Sequence, residues 1–193
     1  MSKRILMIAG PNAAGKTTIA SRLIPDLPMF YEFINADEIA RGLAPLHPET
    51  VAISASKLMI GRFRELLQAN KSFAFETTAA GTNYLKHLRE AKKQGYQVGL
   101  MFLWVSSPEQ AIRRVHNRVM HGGHHIPDAT IRRRYYLGMK NLLKHYLPLA
   151  DFALILDNSE EECSTIAGKN VEYPLQVENK SIWKQIERAA AHG

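Results

Sequence analysis

The chain has 193 residues, 46% hydrophobic and 22% charged, with one cysteine and a formal net charge of +7. That length fits one α/β domain, residues 1–193, with a modest extension, and argues against two independent domains. The ordinary composition excludes a disordered chain, the single Cys163 excludes an internal disulfide, and no apolar run approaches the roughly 20 residues of a membrane span.

In chain order, the first strand is predicted over Arg4 to Ala9, entered directly from Met1-Ser2-Lys3 without a leader, so a cytoplasmic home is expected. Directly after it stands Gly10-Pro11-Asn12-Ala13-Ala14-Gly15-Lys16-Thr17, the full G-x-x-x-x-G-K-[ST] phosphate loop. Its glycines let successive backbone N–H groups turn inward, Lys16 reaches β/γ-phosphates, and the Thr17 hydroxyl is placed to ligate Mg²⁺. A helix from Gly15 to Leu23, with Thr18 in its first turn, offers its N-terminus to the anion.

Further strands are read at Phe33 to Asn35, Phe73 to Glu76, Gln97 to Val105 and Phe152 to Asp157. Helices fall at Asp37 to Gly42, Pro48 to Ala69, Tyr84 to Gln94, Pro108 to Met120 and Ala129 to Leu147. Short apolar runs alternating with helical period are the pattern of a parallel-sheet α/β domain. Residues 160–193 form an extension: a hairpin from Cys163 to Ala167 and Asn170 to Val177 around Gly168-Lys169, then a helix from Ser181 to Ala190.

Ligands of such sheets bind beyond the carboxyl ends of the strands, so the residues there are the candidates. Asp37 can accept a proton from a substrate hydroxyl, or cap the following helix. Asn35 shares that crevice, and Arg41 either binds substrate or pairs on the helix surface. Glu76 can serve the Mg²⁺ shell or be a satisfied structural carboxylate. Thr77 and Thr78 can donate to phosphate or substrate, and Ala79-Ala80-Gly81-Thr82 reads as a mobile loop and N-cap. Asn158 can touch a base or sit in a plain turn.

The segment from Ala111 to Tyr135 reads as helix, Gly122-Gly123 hinge and helix, a lid. Arg114 and Arg118, four apart, share one helix face and can reach a transferred phosphoryl group, whereas Arg113 and Arg132 best fit a solvated basic face. His116, His121, His124 and His125 have no zinc-ligand spacing, so hinge packing or substrate contact is preferred, above all for His124. Because arginine dominates the core of this basic cluster, a nucleotide phosphate explains the charge at least as well as a polynucleotide, and nucleic acid is not expected as a partner. The competing reading is a nucleic-acid-associated ATPase or polynucleotide kinase.

With Ile34-Asn35-Ala36-Asp37, Phe75-Glu76-Thr77-Thr78, Arg118…Gly122-Gly123-His124…Ile126-Pro127 and Asp157-Asn158-Ser159 in this order, the chain resembles the zeta toxin family of phosphate-loop kinases, in its short chromosomal form. The resemblance implies a three-layer fold with a five-stranded parallel sheet, ATP and Mg²⁺ as cofactors, and transfer of the γ-phosphoryl group to a small-molecule hydroxyl. It further implies UDP-N-acetylglucosamine as the family's known acceptor and a small antitoxin as partner. Position by position, it makes Lys16 and Thr17 the phosphate and Mg²⁺ ligands and Asp37 the base. Glu76 and Thr78 become residues of the phosphate and metal surround, and Arg118 with one of Arg113 or Arg114 the γ-phosphate clamp.

Overall fold

The computed structural model describes residues 3–123 and 125–192. Its centre is β1 (Arg4–Ala9), paired in parallel with β3 (Phe73–Thr77) on one side and β4 (Gln97–Trp104) on the other. The short β2 (Glu32–Ile34) lies beyond β3, and β5 (Phe152–Asp157) beyond β4, both parallel to their neighbours. Successive side chains of a strand face opposite sides of the sheet, yet Ile5, Leu6, Met7, Ile8 and Ala9 are all at most 6% exposed. Both faces are therefore covered, which is the condition a parallel sheet needs.

The cover comes from α1 (Lys16–Leu23), α2 (Ala36–Leu43), α3 (Ala52–Gln68), α4 (Asn83–Lys93), α5 (Pro108–Met120), α6 (Asp128–Asn141) and α8 (Lys180–Ala191). Between α6 and β5 the chain passes through a π turn, Leu142–Tyr146, into the short α7 (Leu147–Leu149). Phe63 of α3 shows how a helix is fastened to the sheet. Its ring meets Phe73 and Phe75 of β3 edge-on, at centroid separations of 4.8 and 5.3 Å, and all three are fully buried.

Two features differ from the sequence expectation. The five parallel strands are present, but the C-terminal hairpin joins them, so the sheet has seven strands in the order β2-β3-β1-β4-β5-β6-β7. Left alone, β5 would be an open edge; β6 (Ser164–Lys169) pairs antiparallel with it, and β7 (Gln176–Val177) with β6. The hairpin turn is also not at Gly168-Lys169, which lie within β6. It lies at Asn170, whose side-chain oxygen accepts from the backbone N–H groups of Glu172 and Tyr173 at 2.9 and 2.7 Å and so makes the turn itself.

The loop Ala79-Ala80-Gly81, expected to be mobile, is held at three successive carbonyls. Asn141 donates to Ala79 O and Ala80 O at 2.9 and 3.0 Å, and the Tyr146 hydroxyl donates to Gly81 O at 2.5 Å. In a regular α-helix residues five apart point in different directions; the turn of i→i+5 bonding between them brings Tyr146 round to the side of Asn141.

Truncating Phe63 to Ala should cost about 3–5 kcal/mol of stability, because it removes a ring from a packed triad without letting the sheet collapse. Denaturant unfolding should show the midpoint fall while the slope stays that of the parent.

Candidate active site

The phosphate loop lies between β1 and α1 in a conformation its residues are chosen for. Gly10 has φ +142°, and a side chain there would begin 2.2 Å from the Leu103 carbonyl oxygen, so the loop lies directly on β4. Ala13 and Gly15 are left-handed, at φ 55° and 87°. Lys16 opens α1 and is buried, its Nζ donating to Pro11 O at 2.7 Å and standing 3.8 Å from Glu76 Oε1. Thr17 and Thr18 follow in the exposed first turn.

Glu76, near the end of β3, is the meeting point. Its Oε2 accepts from the Thr17 hydroxyl at 2.8 Å and from the Asn35 amide at 3.0 Å. Burial pushes the Glu76 carboxyl up and the Lys16 ammonium down, each against the attraction of the other, so desolvation outweighs their pairing. Together the Thr17 hydroxyl and Glu76 carboxylate are hard oxygen donors beside a phosphate cradle. That set suits Mg²⁺, which takes few protein ligands and fills its shell with phosphate oxygens and water. Among the described residues no three of His, Cys, Asp and Glu converge on a metal position.

Asn35 resolves the question of which residue caps α2. Its side-chain oxygen accepts from the Asp37 N–H at 2.8 Å, so Asn35 is the cap and Asp37 stands in the first turn with an exposed carboxylate. Both ends of the Asn35 amide are thus engaged within the protein, while Asn35 also lines the cavity beside it. A cavity of about 360 Å³ opens here, lined among others by Asn12, Lys16, Asp37, Glu76, Thr78 and Arg134. A second, of about 230 Å³, adjoins it through Asp37, Ser56 and Arg134 and is floored by Ala40, Pro48 and Ile126. Thr77 lines the larger cavity, while its hydroxyl accepts from the Ala79 N–H at 3.2 Å and shapes the loop that follows.

The arginines divide in a way the sequence does not reveal. Arg118 keeps Nε and one Nη buried with no hydrogen-bond partner among the described residues, and its charge reaches Lys16. Arg114 does not share this role. Both of its terminal nitrogens donate to main-chain carbonyls, of Asn158 and Ser159, at 2.8 Å each, so it braces the loop after β5 instead of facing phosphate. Arg113 is exposed, and Arg132 pairs with Glu109 on the surface, as expected of a solvated face. Arg41 pairs with Glu38 at 2.8 Å on the outside of α2, the surface pairing that was one of its two expected roles, and lines neither cavity.

Arg133 and Arg134 of α6 are the site residues that sequence reasoning missed. Arg134 is partly buried beside Asp37, which holds its pKa up while burial pulls it down. Three consecutive arginines carry no signal as to which turns inward, although a helical step of about 100° per residue means that they cannot all do so. Asn158 sends its amide to Ala14 O at 2.9 Å, so that donor is committed to the phosphate loop. In the α5–α6 connection Gly122 has φ +85°, and a side chain at Gly123 would begin 2.6 Å from Arg118 Cγ, so both glycines are required by static geometry. His116 bonds Asp128 at 2.8 Å, His121 bonds Asn117 O at 2.8 Å, and His125 lines the smaller cavity; His124 lies outside the described residues.

The Glu76 carboxyl should titrate above its usual value near 4.5, read by carbon NMR of the side chain, and Lys16→Met should move it higher still by removing the strongest charge holding it down. The sign for stability follows: folding raises this pKa, so Glu76's contribution is fully present below the unfolded value and is lost as pH rises through the folded one.

A family model for an AAA domain matches residues 5–135. An uncharacterized protein of Haemophilus influenzae (strain ATCC 51907 / DSM 11121 / KW20 / Rd) is 27% identical over 135 residues, which are 70% of this chain and 94% of that protein. Among solved structures, the AvrRxo1-ORF1:-ORF2 crystal structure with ATP superposes with a TM-score of 0.71 at 18% identity, covering 96% of this chain and 63% of that one. The chain therefore spans less than two thirds of that neighbour's length. A structure of the PezAT chromosomal toxin-antitoxin system of Streptococcus pneumoniae superposes with a TM-score of 0.63 at 16% identity, covering 100% of this chain and 85% of that one. These likenesses show a shared phosphate-loop fold, and with the family match over residues 5–135 the chain belongs to the AAA domain family AAA_33.

Proposed function

We propose that the protein is an ATP-dependent phosphotransferase that moves the γ-phosphoryl group to a hydroxyl of a small molecule. The observation that carries this reading is one cavity lined by Lys16 and Glu76 together with Asp37 and Arg134. Groups suited to holding the donor phosphates and a group suited to activating the acceptor hydroxyl thus share one cavity, and in-line transfer needs both. Gly10 to Thr18 cradle the phosphates, and Lys16 exchanges Pro11 O for their oxygens. Thr17 and Glu76 would hold Mg²⁺, which would supply charge neutralisation at the phosphates.

In the transfer step the substrate oxygen forms a bond to the γ-phosphorus as the bond to the ADP oxygen breaks, and the hydroxyl proton passes to Asp37. The unpartnered donors of Arg118 and the guanidinium of Arg134 then meet the charge that develops on the transferred group. The ATP-bound neighbour of the same fold supports ATP as donor. The resemblance to zeta toxins puts nucleotide sugars such as UDP-N-acetylglucosamine first among acceptors. The AvrRxo1-ORF1:-ORF2 and PezAT structures, two-component systems of this fold, support a small antitoxin-like partner. No helix among the described residues is long and apolar enough to cross a membrane, and a cytoplasmic kinase is the reading we adopt.

Incubation with γ-labelled ATP and a panel of nucleotide sugars, other hydroxylated metabolites and oligonucleotides should transfer label to one small-molecule class. Lys16→Ala should abolish transfer, and Asp37→Ala should slow it by about 10²-fold or more with ATP affinity little changed. Parental turnover by Asp37→Ala would remove it as the base. Label released only as free phosphate across the panel would replace the kinase reading with an ATPase.

A further inference from the structure

We propose that Asn158 is a positioning residue for the nucleotide, fixing the peptide that aims the Gly15 N–H into the phosphate cradle, and that α5 holds Asn158 in place to do so. The inference rests on reading Gly10 to Thr18 as a nucleotide cradle. Asn158 follows β5 and is 144 residues from the loop it touches, its Nδ2 donating to Ala14 O at 2.9 Å. A trans peptide is planar, with its C=O and N–H pointing in opposite directions. Drawing the Ala14 carbonyl outward to Asn158 therefore turns the Gly15 N–H inward, and no described residue accepts from that N–H.

The same contact gives the motif's second glycine an additional reason to be glycine. Gly15 has φ +87°, and a side chain there would begin 2.4 Å from Asn158 Nδ2, so Asn158 occupies the space that any other residue would need. The loop and the asparagine interlock: one has no side chain where the other has its amide.

Asn158 is itself gripped by β4 and α5, and α5 holds Ser159 beside it as well. The Asn158 N–H donates to Trp104 O of β4 at 2.9 Å. Arg114 donates to Asn158 O and Ser159 O at 2.8 Å each, and Gln110 Nε2 donates to Ser159 O at 2.7 Å. The Gln110 side-chain oxygen in turn accepts from the Ser106 N–H and hydroxyl, both at 3.0 Å. One face of α5 thus holds the loop that holds the phosphate cradle, while Arg118, one turn further on, carries free donors near Lys16. This gives Arg114 a positioning task distinct from contact with phosphate.

The test compares ADP with adenosine, measured by calorimetry or NMR titration against the parent. Asn158→Ala removes the amide that donates to Ala14 O without placing a charge beside the phosphate site. It should weaken ADP by about three- to tenfold, the loss of one neutral hydrogen bond, and leave adenosine unchanged. Arg114→Ala should act in the same direction with a smaller loss. Asn158→Leu, of similar size and also unable to donate, repeats the comparison should the alanine variant not fold, and thermal melting verifies each variant. Unchanged ADP affinity overturns the proposal, and so does an equal loss for ADP and adenosine, which would mean contact with the base. ADP binding at parental affinity by Lys16→Ala would instead refute the cradle itself, a failure distinct from a cradle that needs Lys16 and ignores Asn158.

Discussion

At the Glu76 carboxylate the phosphate loop, the end of β3 and the start of α2 are tied together. Taking a carboxylate out of water is costly, and here Thr17, Asn35 and Lys16 offset part of the lost hydration while burial still outweighs them. Each of these partners lies on a different element or serves a second purpose. Asn35 passes the constraint on, because the oxygen of the same amide starts α2 and so sets where Asp37 stands. The phosphate loop and Asp37 are therefore placed relative to one another through one buried side chain, which explains why a residue so expensive to bury occupies the centre of the site.

How much of this was legible depends on how far apart the interacting residues lie. The phosphate loop shows itself through spacing within eight residues, and the five parallel strands through short apolar runs, so both survive translation into structure. Asp37 and Glu76 stand out as acids near strand ends. Asn35 against Asp37 could not be decided from sequence, since both are good caps two residues apart and only the geometry shows which side chain reaches back. The grip of Asn141 and Tyr146 on the Ala79–Gly81 carbonyls joins positions more than 60 apart, and a Gly-containing loop with no visible partner reads as free. Gly168-Lys169 misled for a related reason. Glycine signals a turn, but Asn170 next to it provides the hydrogen bonds that a turn needs.

The basic residues show how little net charge alone conveys. Of the arginines between 113 and 134, one pairs with a glutamate on the surface, one braces a loop through carbonyls, and one keeps unpartnered donors in the interior. Each is the same side chain on a similar helix, and what separates their roles is the face each occupies and the acceptors within reach. A formal charge of +7 is thus largely the by-product of several local tasks.

The hold of Asn141 and Tyr146 on three consecutive carbonyls has a mechanical consequence. Arg134 rides on the same helical segment as Asn141, two turns before it, so the segment carrying that guanidinium is anchored at its far end to the wall of the cavity it serves. Swinging α6 away as a rigid flap would break all three bonds together. Helix α6 and that wall of the cleft are thereby joined as one piece.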